Sequence, residues 1–276
     1  MMCAWKALLA VLPPWMREDV DRLGSESLQE LRMRINAPPE LVLDGKSLWL
    51  SRAAGHADLQ YVINGASRYS PWAAESASQG YITAPGGHRI GLCGEVAIHN
   101  GTVTGIRSIH SLCVRVARDF PGIGKGFFPE ANLLILGSPG WGKTTLLRDI
   151  ARTIARQQTV AVVDERGELY PKGFALGKRM DILTGCPKGQ GIQQVLRTMG
   201  PEWIAVDEIT APEDCHSLLN AYGCGVRLLA TVHASSMQDY RSRKVYRPLI
   251  DNGIFTQFLI LNKQKQWHME RMSGCL

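Results

Sequence analysis

The run Gly137-Ser138-Pro139-Gly140-Trp141-Gly142-Lys143-Thr144-Thr145 follows the apolar stretch Leu133–Leu136 and opens a segment with helical periodicity. As a pattern it is G-x-x-x-x-G-K-T, the phosphate-binding loop in the strand-then-helix context that such a loop needs. Its glycines let the backbone turn tightly and aim N–H groups at phosphate oxygens. The helix that follows adds partial positive charge at its N-terminus. Lys143 supplies a cation that reaches β- and γ-phosphates, and the Thr144 hydroxyl supplies a ligand for Mg²⁺. All nine residues, 137–145, are expected to bind nucleotide, with ATP and Mg²⁺ as the expected ligands.

Carboxylates stand where such a loop needs them. Ile204-Ala205-Val206-Asp207-Glu208 is an apolar strand ending in two acids. Asp207 is expected to hold Mg²⁺ through a water and complete the shell begun by Thr144. Glu208 is expected to polarise the attacking water. Thr159–Asp164 reads as the intervening strand of an additional-strand ATPase, in which the glutamate is catalytic. It runs into Asp164-Glu165-Arg166-Gly167-Glu168-Leu169, and carboxylates at a strand's C-terminal end in an open α/β sheet lie at the ligand crevice. Glu165 is therefore a catalytic candidate. The alternative is a solvated loop with a self-paired Arg166. His233, ending Leu228-Leu229-Ala230-Thr231-Val232, is placed to hydrogen-bond a γ-phosphate, although a lone histidine is more often structural.

These side chains need elements to position them. Strands are expected at Leu133–Gly137, Thr159–Asp164, Trp203–Asp207 and Val226–Val232, and helices at Lys143–Gln157, Gln190–Met199 and Glu213–Tyr222. Continuous apolar strands separated by helices indicate a parallel sheet covered on both faces. Phe258–Leu261 and Trp267–Arg271 suggest a closing hairpin. Before residue 120 the pattern differs. Leu8, Leu9, Val11 and Leu12 start one helical face, and Leu28, Leu31 and Ile35 suggest a second helix. Leu41–Lys46 with Leu48–Leu50 reads as a hairpin on a type I′ turn, and the Gly86-Gly87 pair after Ser76–Thr83 signals another. Ile106–Arg118 reads as a strand, and the turn-rich Phe120–Gly126 as a linker.

The chain has 276 residues, which a prior of ~150 per domain divides in two. Charged residues make up 20% and the net charge is +6, compatible with an anionic partner without requiring one. Seven scattered cysteines with no C-x-x-C pair argue against a zinc site or a disulfide framework and for free thiols in a reducing compartment. No apolar run approaches the ~18–20 residues that span a bilayer. The apolar start, Trp5–Met16, is broken by Pro13-Pro14 and lacks a small-residue cleavage site. A cytoplasmic location is expected, with a membrane reached only through a docking partner.

In order, Gly137–Thr145, Asp164–Leu169, Ile204–Glu208 and Thr231–His233 resemble the phosphate loop, Asp box, Walker B and His box of the secretion-type ATPase superfamily, which powers type II and type IV secretion and pilus retraction. Glu30–Pro38, Gly86–Leu92, Asp164–Glu168 and Ala230–Ala234 look like those of its stage III sporulation AA family, a likeness covering nearly the whole chain. The expected fold class is α/β: a RecA-like P-loop NTPase domain, 121–276, with a smaller N-terminal α+β domain, 1–120. The resemblance implies a mother-cell ATPase at the cytoplasmic face of a mother cell–forespore channel. It also implies a homohexamer, membrane channel proteins of a sporulation complex as partners, and an arginine supplied across a subunit boundary. Arg89, Arg107, Arg115, Arg197 and Arg227 are candidates for that role, since the ATPase half shows no arginine of its own fixed beside the γ-phosphate. The chain departs from the superfamily pattern at Asp207, where a glycine precedes the Walker B glutamate, and at Ala230, which replaces a glycine-rich neighbour of Thr231. Two other readings compete. One is a nucleic-acid-dependent ATPase whose basic N-terminal domain touches phosphates through Gly86-Gly87-His88-Arg89, although that domain lacks paired aromatics at an RNA-binding spacing. The other is a nucleotide-gated scaffold.

Overall fold

The computed structural model describes residues 1–43, 46–67, 80–99, 101–124, 127–171 and 173–272. They form two compact units, Met1–Asp119 with Pro171–Phe174, and Phe120–Tyr170 with Ala175–Leu276.

In the first unit, helices α1 (Trp5–Val11), α2 (Pro14–Ser27) and α3 (His56–Ser67) accompany a six-stranded sheet. Its strands are β1 (Glu30–Arg34), β2 (Glu40–Leu43), β3 (Lys46–Trp49), β4 (Tyr81–Thr83), β5 (Arg89–His99) and β6 (Thr102–Arg115), in the order β3-β2-β1-β6-β5-β4. Leu31, Met33, Leu41, Ile90, Leu112 and Val114 bury one sheet face with Leu8, Val11, Leu12, Met16, Val20 and Leu59 of the helices. The helix expected from Leu28, Leu31 and Ile35 is not formed, because Glu30-Leu31-Arg32-Met33-Arg34 alternates with period two and its burial follows. Both expected hairpins are present as β2–β3 and β4–β5, while the type I′ turn at Asp44-Gly45 and the stretch Ser76–Gln79 lie outside the described residues. His88 is fully buried. Its Nδ1 accepts the Ala117 N–H at 3.1 Å and its Nε2 lies 3.2 Å from the Ala4 carbonyl. Burial holds the imidazole below its usual range, hence neutral, and the Ala4 contact opposes this. Arg89 stacks on Tyr81 with 4.0 Å to the ring centroid. The Gly-Gly-His-Arg stretch thus builds the turn, and its histidine is unavailable to phosphate.

In the second unit, seven strands take the order β13-β12-β7-β11-β10-β8-β9. They are β7 (Leu133–Leu136), β8 (Val160–Asp164), β9 (Met180–Thr184), β10 (Trp203–Ile209), β11 (Arg227–Val232), β12 (Gln257–Leu261) and β13 (Trp267–Arg271). All pairings are parallel except β12–β13, the expected closing hairpin. Leu134, Leu136, Ala161, Val163, Ile204 and Val206 belong to one core, and Leu133, Ile135, Val160, Val162, Trp203 and Ala205 to the other. Helix α4 (Lys143–Ile154) covers the second core, and α5 (Lys188–Thr198) with α6 (Pro212–Gly223) the first. The strand β9 was not anticipated. Its Met180-Asp181-Ile182-Leu183-Thr184 is a part-buried edge with a charge in it, so it carries no continuous apolar signal. One expectation is corrected: β11, not Val160–Asp164, stands between the phosphate-loop strand and β10. Strand β8 lies on the far side of β10, because parallel strands are joined by crossovers that let neighbours in sequence be non-neighbours in the sheet.

Trp203 anchors this sheet, with 0% exposure, its Nε1 donating to Gln158 at 2.7 Å and Arg227 over its ring. Trp203→Ala should lower unfolding free energy by ~3–5 kcal/mol in denaturant titrations, through lost transfer energy and the cavity left behind.

Candidate active site

The loop expected to bind phosphate joins the buried β7 to α4. Gly140 and Gly142 take φ of 77° and 97°, the left-handed region in which a side chain is strained. Gly142 sits at the N-cap, so the first-turn N–H groups of α4, which have no intrahelical partners, open toward the loop. Pro139 through Thr145 line a cavity of about 620 Å³, with Asp207, Glu208, Thr231 and His233 on another wall. Gly137 and Ser138 lie behind it. A Cβ on Gly137 would press the Lys143 stem at 3.2 Å and Leu261 at 3.3 Å, and the Ser138 carbonyl accepts from Lys143 Nζ at 3.2 Å.

Asp207 and Glu208 are sequence neighbours on a strand and would ordinarily face opposite ways. A register shift against β11 between Val206 and Ile209, with φ of 56° at Glu208, breaks that alternation and puts both on the cavity wall. Asp207 Oδ2 accepts from the Thr144 hydroxyl at 2.7 Å and Oδ1 from the Thr231 hydroxyl at 2.6 Å. The Thr231 hydroxyl in turn accepts the Glu208 N–H at 2.8 Å. Lys143 Nζ lies 3.0 Å from His233 Nδ1, and His233 Nε2 lies 2.8 Å from Glu208 Oε1. An ammonium only donates, so Nδ1 is the acceptor and Nε2–H donates to the glutamate. Arg166 closes the line on Glu208 Oε2 at 2.8 Å. It is therefore not self-paired, and the second unit does hold an arginine against Glu208.

Burial pulls the Lys143 ammonium below the usual lysine range, against the opposing pull of Asp207 and Glu208. At Glu208 partial burial works upward, but the His233 hydrogen bond and the Arg166 and Lys188 cations together hold the carboxyl below its usual range. It is a carboxylate at neutral pH. Asp164 is buried and is pushed up by desolvation, while accepting N–H groups from Glu168 at 3.0 Å and Leu169 at 2.8 Å. It shapes the loop after β8. Glu165 is not brought to the phosphate-loop wall; its Oε2 pairs with Lys188 Nζ at 2.6 Å.

Among the described residues no three His, Cys, Asp or Glu gather as a metal cage. Thr144 and Asp207 nevertheless converge hard oxygens at the loop, as Mg²⁺ prefers when water and substrate phosphates supply its remaining ligands. The cavity's other wall is Phe120, Ile123, Trp141, Leu261, Lys265 and Trp267, an apolar and aromatic surface suited to a base. Asp149 on α4 fastens the Phe120–Ile123 turn, accepting N–H groups from Gly122 at 2.9 Å and Gly124 at 2.8 Å. None of Arg89, Arg107, Arg115, Arg197 or Arg227 lines the cavity. Sequence reading gave Thr231 and Arg166 no role of their own in the site, and did not single out Asp149 or the aromatic wall. Only Thr231 carried a signal, its place two residues before His233.

The family model described as "Sporulation stage III, protein AA" matches residues 10–272. The chain belongs to that family. It is 36% identical to the stage III sporulation protein AA of Bacillus subtilis, over 92% of this chain and 90% of that one. The pilus retraction motor PilT, solved with ADP, superposes with a TM-score of 0.64 at 14% identity, covering 94% of this chain and 83% of that chain. The ATPase DotB of Legionella pneumophila gives 0.61 at 17% identity, covering 94% and 79%. This member of the sporulation family therefore has the fold of the P-loop secretion ATPases.

Thr231→Val keeps the shape but leaves the Glu208 N–H and one Asp207 oxygen without their shared hydroxyl. Denaturant titration should show a loss of ~1–3 kcal/mol, the cost of a buried group left unsatisfied, and Thr231→Ser should recover most of it.

Proposed function

We propose that this chain is a secretion-type ATPase that hydrolyses Mg·ATP and works as a homohexameric motor on membrane channel proteins of a sporulation complex. The observation that carries the reading is the contact line from Lys143 through His233 to Glu208, with Asp207 on Thr144 in the same cavity. The N–H groups of 142–145 and Lys143 hold the phosphates, and the aromatic wall takes the base. Thr144 and Asp207 would hold Mg²⁺, which when bound neutralises charge on the β- and γ-oxygens. When Lys143 turns to phosphate it leaves His233 Nδ1, which donates to a γ-phosphate oxygen once it has taken up a proton. Glu208, already ionised, accepts the proton of the attacking water. Glu165 stays with Lys188 at the edge of the site. Membership of a sporulation family supports the channel role, and the fold shared with DotB and PilT supports a motor.

Glu208→Gln should bind Mg·ATP nearly as wild type yet turn over at least ~10²-fold more slowly, while Lys143→Ala should lose nucleotide binding. Calorimetry and a phosphate-release assay separate the two. Wild-type turnover in both variants removes the site assignment.

An arginine supplied in trans is worth ~10³–10⁵ in rate. Specific activity should therefore rise with protein concentration, and added Lys143→Ala subunits should depress it beyond simple dilution. A flat profile with a monomer mass throughout by light scattering removes the motor.

A further inference from the structure

The pairing of β5 with β6 continues well past the sheet that holds it. Strand β1 pairs β6 only over Ser111–Arg115, and β4 pairs β5 only over Arg89–Gly91. Beyond those points Gly94–His99 and Thr102–Ile109 pair with each other alone, as a two-stranded ribbon. Val96 faces Ile106 and Ile98 faces Val103 across it, and Val96 and Ile98 are two apart on one strand. The four β-branched side chains therefore share one face. Val96, Ile98 and Val103 are 46%, 61% and 53% exposed. Glu95, Ala97 and His99 alternate to the other face. An isolated ribbon gains nothing from such a face in water, so the face points to something that covers it.

We propose that this ribbon docks directly on an anionic lipid bilayer, its Val96–Ile98–Val103–Ile106 face resting at the boundary between headgroups and acyl chains. Three features favour lipid over protein. Four side chains offer on the order of 300 Å² of apolar surface, short of the ~800 Å² per partner of a stable protein interface, whereas interfacial docking has no such minimum. Edge-to-edge pairing with a second copy is opposed by register shifts between Cys93 and Gly94, Glu95 and Val96, and Ala97 and Ile98, which break the ladder a new strand would extend. Arg107, exposed and left without a cross-strand partner by the shift between Glu95 and Val96, is released from strict alternation and makes no hydrogen bond or ion pair among the described residues, so its guanidinium is available to lipid phosphate. Docking is shallow, since the ribbon's unpaired edges need water. The inference does not depend on the ATPase reading.

The test is flotation of the full chain with vesicles of phosphatidylcholine alone or mixed with phosphatidylglycerol. The wild type should float with the anionic vesicles. The charge-neutral double variant Ile98→Ser/Val103→Ser should lower the bound fraction ~10-fold, as loss of two exposed apolar anchors requires, and Arg107→Gln should lower it on anionic vesicles only. The melting midpoint of each variant and nucleotide binding by the double variant serve as folding controls, and these surface changes should leave both unaltered. Failure of the wild type to float, or equal flotation of the double variant, overturns the proposal. So does a fall in the variant's oligomeric mass without any wild-type flotation, which would assign the face to a second copy.

Discussion

Two threonine hydroxyls, one from the phosphate-loop helix and one from β11, donate to the same carboxylate, Asp207. Every other distance in the candidate site depends on that arrangement. It locks three elements of the sheet's C-terminal edge together with hydrogen bonds to a charged group, each worth ~1.5–3 kcal/mol. The Thr231 hydroxyl also takes the Glu208 N–H, which holds the one residue of the strand whose φ is in the left-handed region. That conformation is costly for a glutamate and persists only where its surroundings over-determine it.

The chemistry collects there because the strands leave it nowhere else. Strands β7, β8 and β12 are buried at every position, so a charge within them would be desolvated on both sheet faces. Polar groups are confined to the strand ends. Asp164, at the end of β8, stays buried by organising its own loop, while Asp207 and Glu208, at the bulged end of β10, reach the cavity. The superfamily pattern has a glycine before the Walker B glutamate. Here the irregular φ falls on Glu208 itself, and Asp207 becomes available to the loop threonine.

The three groups on which the proposed hydrolysis would depend are engaged with one another. Lys143 is held by His233, His233 by Glu208, and Glu208 also by Arg166. The line satisfies a cation and a carboxylate that are both partly buried: burial pulls the Lys143 ammonium below its usual range, and the His233 and Arg166 contacts hold the Glu208 carboxyl below its own. On the proposed reading a polyphosphate would compete for its first member, which would give nucleotide occupancy a direct route to the glutamate.

The strand, loop and helix around Gly137–Thr145, the two-faced parallel strands and the terminal hairpin were legible in the sequence, because glycine-rich turns and continuous apolar runs are local signals. The same local reading failed at Glu30–Arg34, where apolar residues at helical spacing hid a strict alternation, and at β9, whose part-buried edge carries no apolar run. Strand order was beyond it, since nothing in the chain says that β11 inserts between β7 and β10. Nor could spacing reveal the bulge that turns Asp207 and Glu208 to one wall, or the partners of Arg166, His88 and Glu165. Residue types and their local order determined which groups are candidates for the site. Which of them meet was decided by packing, because it depends on contacts between segments tens of residues apart.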